Sequence, residues 1–298
     1  MRENIVSNSG QGKTLETYLR QHYPIGFVRK LFRKNGVRVN GVRGKNEMIL
    51  KKGDRLKFYF DFQKEAPVKK TTPAKDKAYE ILFEDEDLLV LNKMPGIPVH
   101  EGKTVSFKLS LLGQLRDDYR ARDIKPHLVH RLDSQSSGCL IVVKREELLP
   151  AFEEMFKKGE IKKEYLVLVT GLMNLKKGKT DSPLPGREGS LVSAVTSYEV
   201  LREFPGDRVT LVRALIKTGR KHQIRLHFAR LGHSVVMDHI YGNFDLNRKF
   251  KKIFGLKRQF LHAENLSFDW KGKTIEVTAP FPGDIQAALD KLKMRREG

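Results

Sequence analysis

The nine residues from His130 to Gly138 read His-Arg-Leu-Asp-Ser-Gln-Ser-Ser-Gly and stand immediately before the apolar run Cys139 to Val143. A carboxylate, Asp133, is thus carried on a polar loop that ends at a strand, a position from which rigid scaffolds present catalytic groups. The chemistry open to it is nucleophilic attack or proton transfer. An Asp followed by Ser and Gly also serves as a turn residue or helix cap, so the assignment depends on what accompanies it. Arg131 lies two residues before it. Leu88 to Leu91 lead into Asn92-Lys93-Met94-Pro95-Gly96, a second polar loop at a strand end whose plain reading is a Pro-Gly turn. Tyr165 opens the apolar strand within Lys163 to Gly171, as a core aromatic or as a site residue. In Thr218 to His227 a glycine turn precedes Arg220, Lys221, His222 and Arg225. Helix N-termini and planar Arg forks suit phosphate, and the same residues suit a solvated basic helix face.

Several elements must position these groups. Leu15, Leu19 and then Val28, Leu31 and Phe32 fall at helical spacing on either side of Pro24, which predicts two short helices over residues 14–34. Val37 and Val39 before the Asn40-Gly41 turn, and Leu56, Phe58, Phe60 and Phe62 at period two, predict strands. Gln63 to Lys77 carries five lysines and two prolines, the composition of a linker. Beyond it the pattern mixes strands (Tyr79 to Phe83, Leu88 to Asn92, Cys139 to Lys144, Glu164 to Thr170, Ser193 to Leu201, Arg208 to Lys217) with helices (Phe107 to Tyr119, Glu147 to Lys157, His222 to Leu231). Strict strand-helix alternation is missing, and the expected class is α+β.

The balance of 57 Lys and Arg against 36 Asp and Glu gives the 298-residue chain a formal charge of +21. Residues 1–78 hold 19 of those cations against 7 anions, so +12 of the excess sits there. Such a field attracts a polyanion through counterion release. No apolar run approaches the ~18 residues of a membrane span, the first twelve residues lack the apolar stretch of a secretory signal, and the one cysteine, Cys139, allows no internal disulfide. A soluble cytoplasmic protein is expected, without heptads and therefore read as a monomer. One cysteine also excludes the ligand set of a zinc deaminase, and no glycine-rich cofactor loop of the methyltransferase kind follows an early strand.

Taken together, HRLDSQSSG, LNKMPGIPVHEG, KKEYLVLVTG, TGRKHQIRLH and the closing LHAENLSF resemble the RluA-type pseudouridine synthases, over roughly residues 79–282. The resemblance implies a mixed, mainly antiparallel central sheet with flanking helices. Residue by residue, it implies that Asp133 is the nucleophile, Tyr165 packs against the target base, and Arg225 partners the aspartate. Arg131 takes the place of the extruded nucleotide, Leu261 lines the pocket, and His130, Arg220 and His222 stand among the RNA contacts. Two positions depart from the family pattern: Ser136 stands where Thr is usual, and Met237 where Gly usually precedes Asp238. The unit around Val37 to Gly41 looks like the RNA-binding domain named after ribosomal protein S four, with Arg29, Lys30, Arg33, Lys34 and Arg38 as its RNA contacts. The expected organisation is an RNA-binding module over 1–62, a basic linker over 63–77 and a catalytic domain over 78–298.

The implied reaction breaks the bond from ribose to ring nitrogen, turns the base and rejoins it through carbon, and it calls for neither metal nor cofactor. A carboxylate is charged at neutral pH, and an adjacent arginine favours that charge in a desolvated pocket. Attack at the anomeric carbon and assistance to glycal formation both remain open. Large-subunit ribosomal RNA is the expected substrate and transfer RNA the other candidate. A catalytically silent RNA-binding or ribosome-assembly factor is the rival reading, and it would tolerate Asp133→Asn.

Overall fold

The computed structural model describes residues 2–6, 10–22, 28, 31–59, 78–102, 105–186 and 190–295. The expected linker over 63–77, together with Phe60, Phe62, Arg29 and Lys30, lies outside the described residues. Two compact units divide the chain, Met1–Asp76 and Lys77–Gly298.

In the first unit an antiparallel sheet of order β1-β4-β2-β3 is formed by β1 (Arg2–Ile5), β2 (Val37–Val39), β3 (Val42–Arg43) and β4 (Arg55–Phe58). Asn40 and Gly41 join β2 to β3 with positive φ at both residues (49° and 82°), the two-residue turn whose twist matches paired strands. Helix α1 (Leu15–His22) lays Leu15 and Leu19 on that sheet, in a core shared with Val28, Leu31, Leu50, Leu56 and Phe58. Arg33, Lys34 and Arg38 are exposed, and the Arg38 guanidinium lies 4.9 Å from the centroid of the Tyr59 ring.

The second unit is built on a ten-stranded sheet. Its strands are β5 (Tyr79–Glu84), β6 (Leu88–Lys93), β7 (His127–Leu128), β8 (Ser137–Val143), β9 (Lys162–Thr170), β10 (Lys177–Thr180), β13 (Thr196–Phe204), β14 (Val209–Ile216), β15 (Leu261–Trp270) and β16 (Lys273–Thr278). The main path runs β10-β13-β14-β9-β15-β8-β6-β5, with β16 beside β15 and β7 beside β8, while β11 (Leu184–Pro185) and β12 (Leu191–Val192) pair separately. The expected α+β class holds, and among the described strands only β8 and β15 pair in parallel. Strand alternation sorts the core into two layers: Tyr165, Val167 and Val169 face one, Leu166 and Leu168 the other. Helices α2 (Leu111–Tyr119), α3 (Leu149–Lys158) and α4 (Gln223–Arg230) cover the first layer; α5 (Phe244–Phe254) and α6 (Gly283–Met294) cover the second. Among the described residues no helix is long and apolar enough to cross a membrane.

Three helices differ from their sequence boundaries for local reasons. The segment Phe107 to Tyr119 breaks at Ser110, which is extended and whose Oγ accepts the Gly113 N–H, so a short turn precedes α2. A 3-10 turn at Glu146–Leu148 delays the start of α3, and Gly159 in the left-handed conformation ends it. His222, at φ 55°, stands outside α4 as its cap.

The parallel β8–β15 pair matters most for function, because it sets the N-terminal ends of both strands side by side. Lys93 at the end of β6 pairs with Gly138, and Tyr165 near the start of β9 pairs with Ala263. The four sequence segments therefore meet at one end of the sheet. Gly138 permits this closeness: it has φ 107°, and a Cβ there would lie 2.1 Å from the Ala263 carbonyl oxygen.

Candidate active site

Leu132 is buried in the core while its neighbour Asp133 is turned outward and left 17% exposed. The loop is held from below. Lys93 is fully buried, and its Nζ donates to the carbonyls of Met94 (2.8 Å), Ile97 (2.7 Å) and Ser134 (3.1 Å). Burial pulls this amine down to about 7, with the Arg258 charge adding to the fall and Asp133 opposing it. Gly96 N–H donates to the Ser134 carbonyl at 2.8 Å, and Ser136 N–H closes the turn onto the Asp133 carbonyl at 3.0 Å. Gln259 Nε2 donates to Ser136 Oγ at 2.8 Å, so the hydroxyl at this position helps to hold the loop. Arg258, bidentate on Asp284, also donates to the Gln135 carbonyl.

From α4, Arg225 meets the loop across 92 residues of sequence. Its Nη1 donates to Asp133 Oδ2 at 2.9 Å, while Nε and Nη2 grip Asp238 at 2.6 and 2.9 Å. Burial works against the guanidinium charge, and the bonds from Asp238 and then Asp133 more than restore it, raising its pKa. Asp238 has no exposed surface. Burial pushes its carboxyl up, but Arg225 and the N–H groups of Tyr241 and Ile240 outweigh that and hold it below its ordinary value. His222 places Nδ1 3.0 Å from the Tyr241 hydroxyl and Nε2 3.7 Å from Asp133 Oδ1. Burial lowers its pKa despite Asp133, which favours a neutral ring.

Asp133 lies where two cavities meet. The larger, about 620 Å³, is walled by Tyr165, Leu261, Lys163, His130 and the Gly219 turn; this is a ligand-sized space. The second, about 520 Å³, shares Asp133, Arg131, His222 and Arg225 and continues past Pro98 and Ile240. Tyr165 is 5% exposed, and burial followed by the Asp133 charge raises its hydroxyl pKa, so it presents a neutral ring. Arg131 is exposed on the rim of both spaces. Arg220 is also exposed, its Nε on the Ser193 carbonyl at 3.2 Å. His130 turns back to the sheet: its Nε2 accepts the Ile141 N–H at 2.8 Å, and burial followed by the Lys163 charge holds its pKa at about 3.

The segments read from sequence thus bring Asp133, Arg225, Tyr165, His222, Arg131 and Leu261 together, with His130 and Arg220 at the wall and rim. Lys93, Asp238 and Gln223 were not singled out as site residues. Gln223 locks the turn before α4, accepting from Thr218 Oγ1 (2.7 Å) and Arg220 N–H (3.0 Å) and donating to the Val195 carbonyl (2.9 Å). The one sequence signal near Asp238 was Met237 in place of glycine. Met237 is buried and adopts φ 64°, the left-handed region that favours glycine. The arrangement leaves one carboxylate oxygen of Asp133, free of strong donors, at the floor of a cavity with an aromatic wall, which suits nucleophilic chemistry on a flat, neutral ligand.

Residues 87–230 match the family model described as RNA pseudouridylate synthase. The chain is 32% identical over 312 residues to the ribosomal large subunit pseudouridine synthase C of Pasteurella multocida, covering 98% of this chain and 94% of that relative. The protein of the same description from Escherichia coli (strain K12) is 32% identical over 307 residues, covering 96% and 94%. Among solved structures, human RNA Pseudouridylate Synthase Domain Containing 4 superposes with a TM-score of 0.60 at 23% identity, over 72% of this chain and 92% of that one. That likeness bears on the fold.

Proposed function

The chain belongs to the RNA pseudouridylate synthase family, and on that premise we propose that it isomerises specific uridines of large-subunit ribosomal RNA with Asp133 as nucleophile. The curated relatives that it matches along nearly its whole length are described as ribosomal large subunit enzymes, which supports this substrate class over transfer RNA. The observation that carries the assignment of Asp133 is the division of Arg225: two nitrogens are spent on buried Asp238, and the third is aimed at Asp133 beside the cavity.

In this reading the target uridine leaves its stack, at a cost of a few kcal/mol, and enters the larger cavity against Tyr165. Arg131, exposed on the rim, fills the vacancy. Asp133 acts on the ribose in one of two ways: its carboxylate bonds to C1′ as N1 leaves and is released as C5 bonds to C1′, or it takes the C2′ proton to give a glycal and returns it when C5 bonds to C1′. The bond from C1′ to N1 breaks with its electron pair staying on the ring, the ring turns, and C1′ bonds to C5. C5 loses its proton while N1 gains one, so atoms and charge balance. Arg225 holds the carboxylate aimed, Leu261 supports the base, His222 and His130 form part of the cavity wall, and Arg220 stands at its rim.

We also propose that residues 1–62 form an S-four-type RNA-binding module, joined by a basic linker over 63–77 to a catalytic domain over 78–298. Arg33, Lys34 and Arg38 are exposed for backbone contacts, and Arg29 and Lys30 belong to the same set by sequence. Removing residues 1–70 is expected to weaken RNA binding and flatten its salt dependence, by about 0.7 to 0.9 in log-log slope per lost phosphate contact.

The deciding experiment incubates wild type and Asp133→Asn with uridine-labelled ribosomal and transfer RNA and measures pseudouridine. Product in ribosomal RNA from wild type alone is expected. Intact RNA binding with no product from wild type in either RNA would overturn the assignment in favour of an assembly factor.

A further inference from the structure

Three lysines are buried among the described residues: Lys93, Lys144 and Lys163. Two have their charge accounted for. Lys93 donates to three carbonyls, and Lys144 pairs with Glu84 at 2.7 Å and reaches the Asp85 carbonyl. Lys163 differs. It is 3% exposed, yet among the described residues no hydrogen-bond acceptor or carboxylate meets its Nζ, which lies 4.6 Å from the centroid of the Phe156 ring and faces Gly219. It lines the same cavity as Asp133 and stands two residues before Tyr165 on β9, which puts both side chains on one face of the strand.

Burying an amine without an acceptor costs several kcal/mol. Among the described residues only the ring of Phe156 meets it, in a weak cation–π contact, and its Nζ is left facing the cavity rather than sealed in the core. A group kept unpaired beside a reactive carboxylate points to a partner that arrives with the substrate. Within the uridine chemistry proposed above, on which this inference rests, one species needs such a partner. When the bond from N1 to C1′ breaks, the ring takes the electron pair and spreads it over its carbonyl oxygens. We propose that Lys163 is a further catalytic residue, whose ammonium donates a hydrogen bond to a carbonyl oxygen of the detached uracil and stabilises that negative charge. No proton leaves the lysine: the electron pair passes to the ring, is shared by its oxygens, and returns when C5 bonds to C1′. Burial holds the amine at about 8, so it is still largely charged at neutral pH.

The test uses the full chain and a ribosomal RNA in which wild type forms pseudouridine, with Asp133→Asn as the inactive reference. Lys163→Met is expected to lower the single-turnover rate by about 10² to 10³, the scale of one lost charge-stabilising donor. RNA affinity should stay within about threefold, and the melting temperature should not fall, because an apolar chain of similar length replaces an amine that has no protein acceptor among the described residues. In Lys163→Ala, added ethylammonium should restore part of the rate. A rate within about threefold of wild type overturns the proposal. So does a loss confined to RNA affinity, which would make Lys163 a phosphate contact, or a lowered melting temperature without amine rescue, which would make it structural. If wild type makes no pseudouridine in any RNA, the uridine chemistry itself fails and the proposal with it.

Discussion

The loop carrying Asp133 and the turn carrying Asp238 lie on two sides of one guanidinium, and they differ in how completely their carboxylates are satisfied. Asp238 is fully buried and uses both oxygens, receiving Nε and Nη2 of Arg225 and the N–H groups of Ile240 (2.8 Å) and Tyr241 (3.0 Å). Asp133 is partly exposed, has one oxygen on Nη1, and offers the other to a cavity with only His222 at 3.7 Å nearby. Asp87 follows the Asp238 pattern elsewhere in the sheet. It is buried, and Lys271 first, with Trp270 and Arg145, outweighs desolvation and holds it at about 2. A carboxylate whose lone pairs are all engaged can orient a neighbour but has nothing left with which to attack. The unsaturated one, beside space for a ligand, is where chemistry is available.

The largest effect expected from this contrast is on turnover at Asp133. Asp133→Asn should lower kcat by about 10⁴ or more, as loss of a nucleophile does, while stability changes by less than about 1 kcal/mol because the side chain is partly hydrated. Asp238→Asn should do both kinds of damage. It leaves the Arg225 charge buried with half its partner, which costs about 3 kcal/mol, and it loosens the guanidinium on Asp133, lowering kcat by about 10²-fold. Denaturant unfolding and single-turnover rates on both variants separate the two roles. Equal destabilisation by the two changes would erase the distinction.

A third expectation concerns the strand seam beneath the loop. His262 is fully buried, with Nδ1 3.0 Å from Ser137 Oγ and Nε2 3.2 Å from the Ala279 carbonyl, an arrangement that fits the neutral Nε2–H tautomer. Burial holds its pKa at about 4, against an ordinary value near 6.5. Between those values the unfolded chain binds a proton that the native one refuses, so stability is present in full above about pH 6.5 and is lost as pH falls toward 4. The limit of the loss is about 3 kcal/mol. In His262→Gln the slope of unfolding free energy across this window should flatten; an unchanged slope would mean that other groups set the acid sensitivity.

Much of this site was legible in the residue order, and what escaped has a physical reason. Asp133, Tyr165 and Arg225 each sit in a segment where an apolar strand or a periodic helix abuts a polar loop, a local pattern that reads directly. Their meeting depends on the parallel β8–β15 pair, whose register no local pattern encodes. Lys93 reads as part of a Pro-Gly turn, and only the folded chain shows its amine bonded to Ser134, 41 residues away. Asp238 was visible only as the residue after an unusual methionine. Helix α5 escaped although Asn247, Phe250 and Phe254 repeat at helical spacing and are its buried residues.

Met237 is where the two halves of the comparison meet the backbone, and it carries the smallest expected effect. Its N–H donates to Asn247 Oδ1 at 2.7 Å, and Asn247 Nδ2 donates to the Asp238 carbonyl at 2.9 Å, so α5 clamps the turn in its left-handed form. An L residue held there is disfavoured by roughly 1 to 2 kcal/mol, and the methionine offsets it by burying its side chain with Phe250 and Phe254. Truncation exposes the backbone contribution. Met237→Ala should cost about 2 kcal/mol or more for lost burial, whereas Met237→Gly should be no less stable than Met237→Ala, since freedom at positive φ compensates the further methyl. The same Ala-to-Gly step at Ala288, buried inside α6, should cost about 1 kcal/mol or more. Chemical unfolding of the three variants beside wild type measures this, and a glycine variant about 1 kcal/mol below the alanine variant at position 237 would mean that the turn carries no backbone strain.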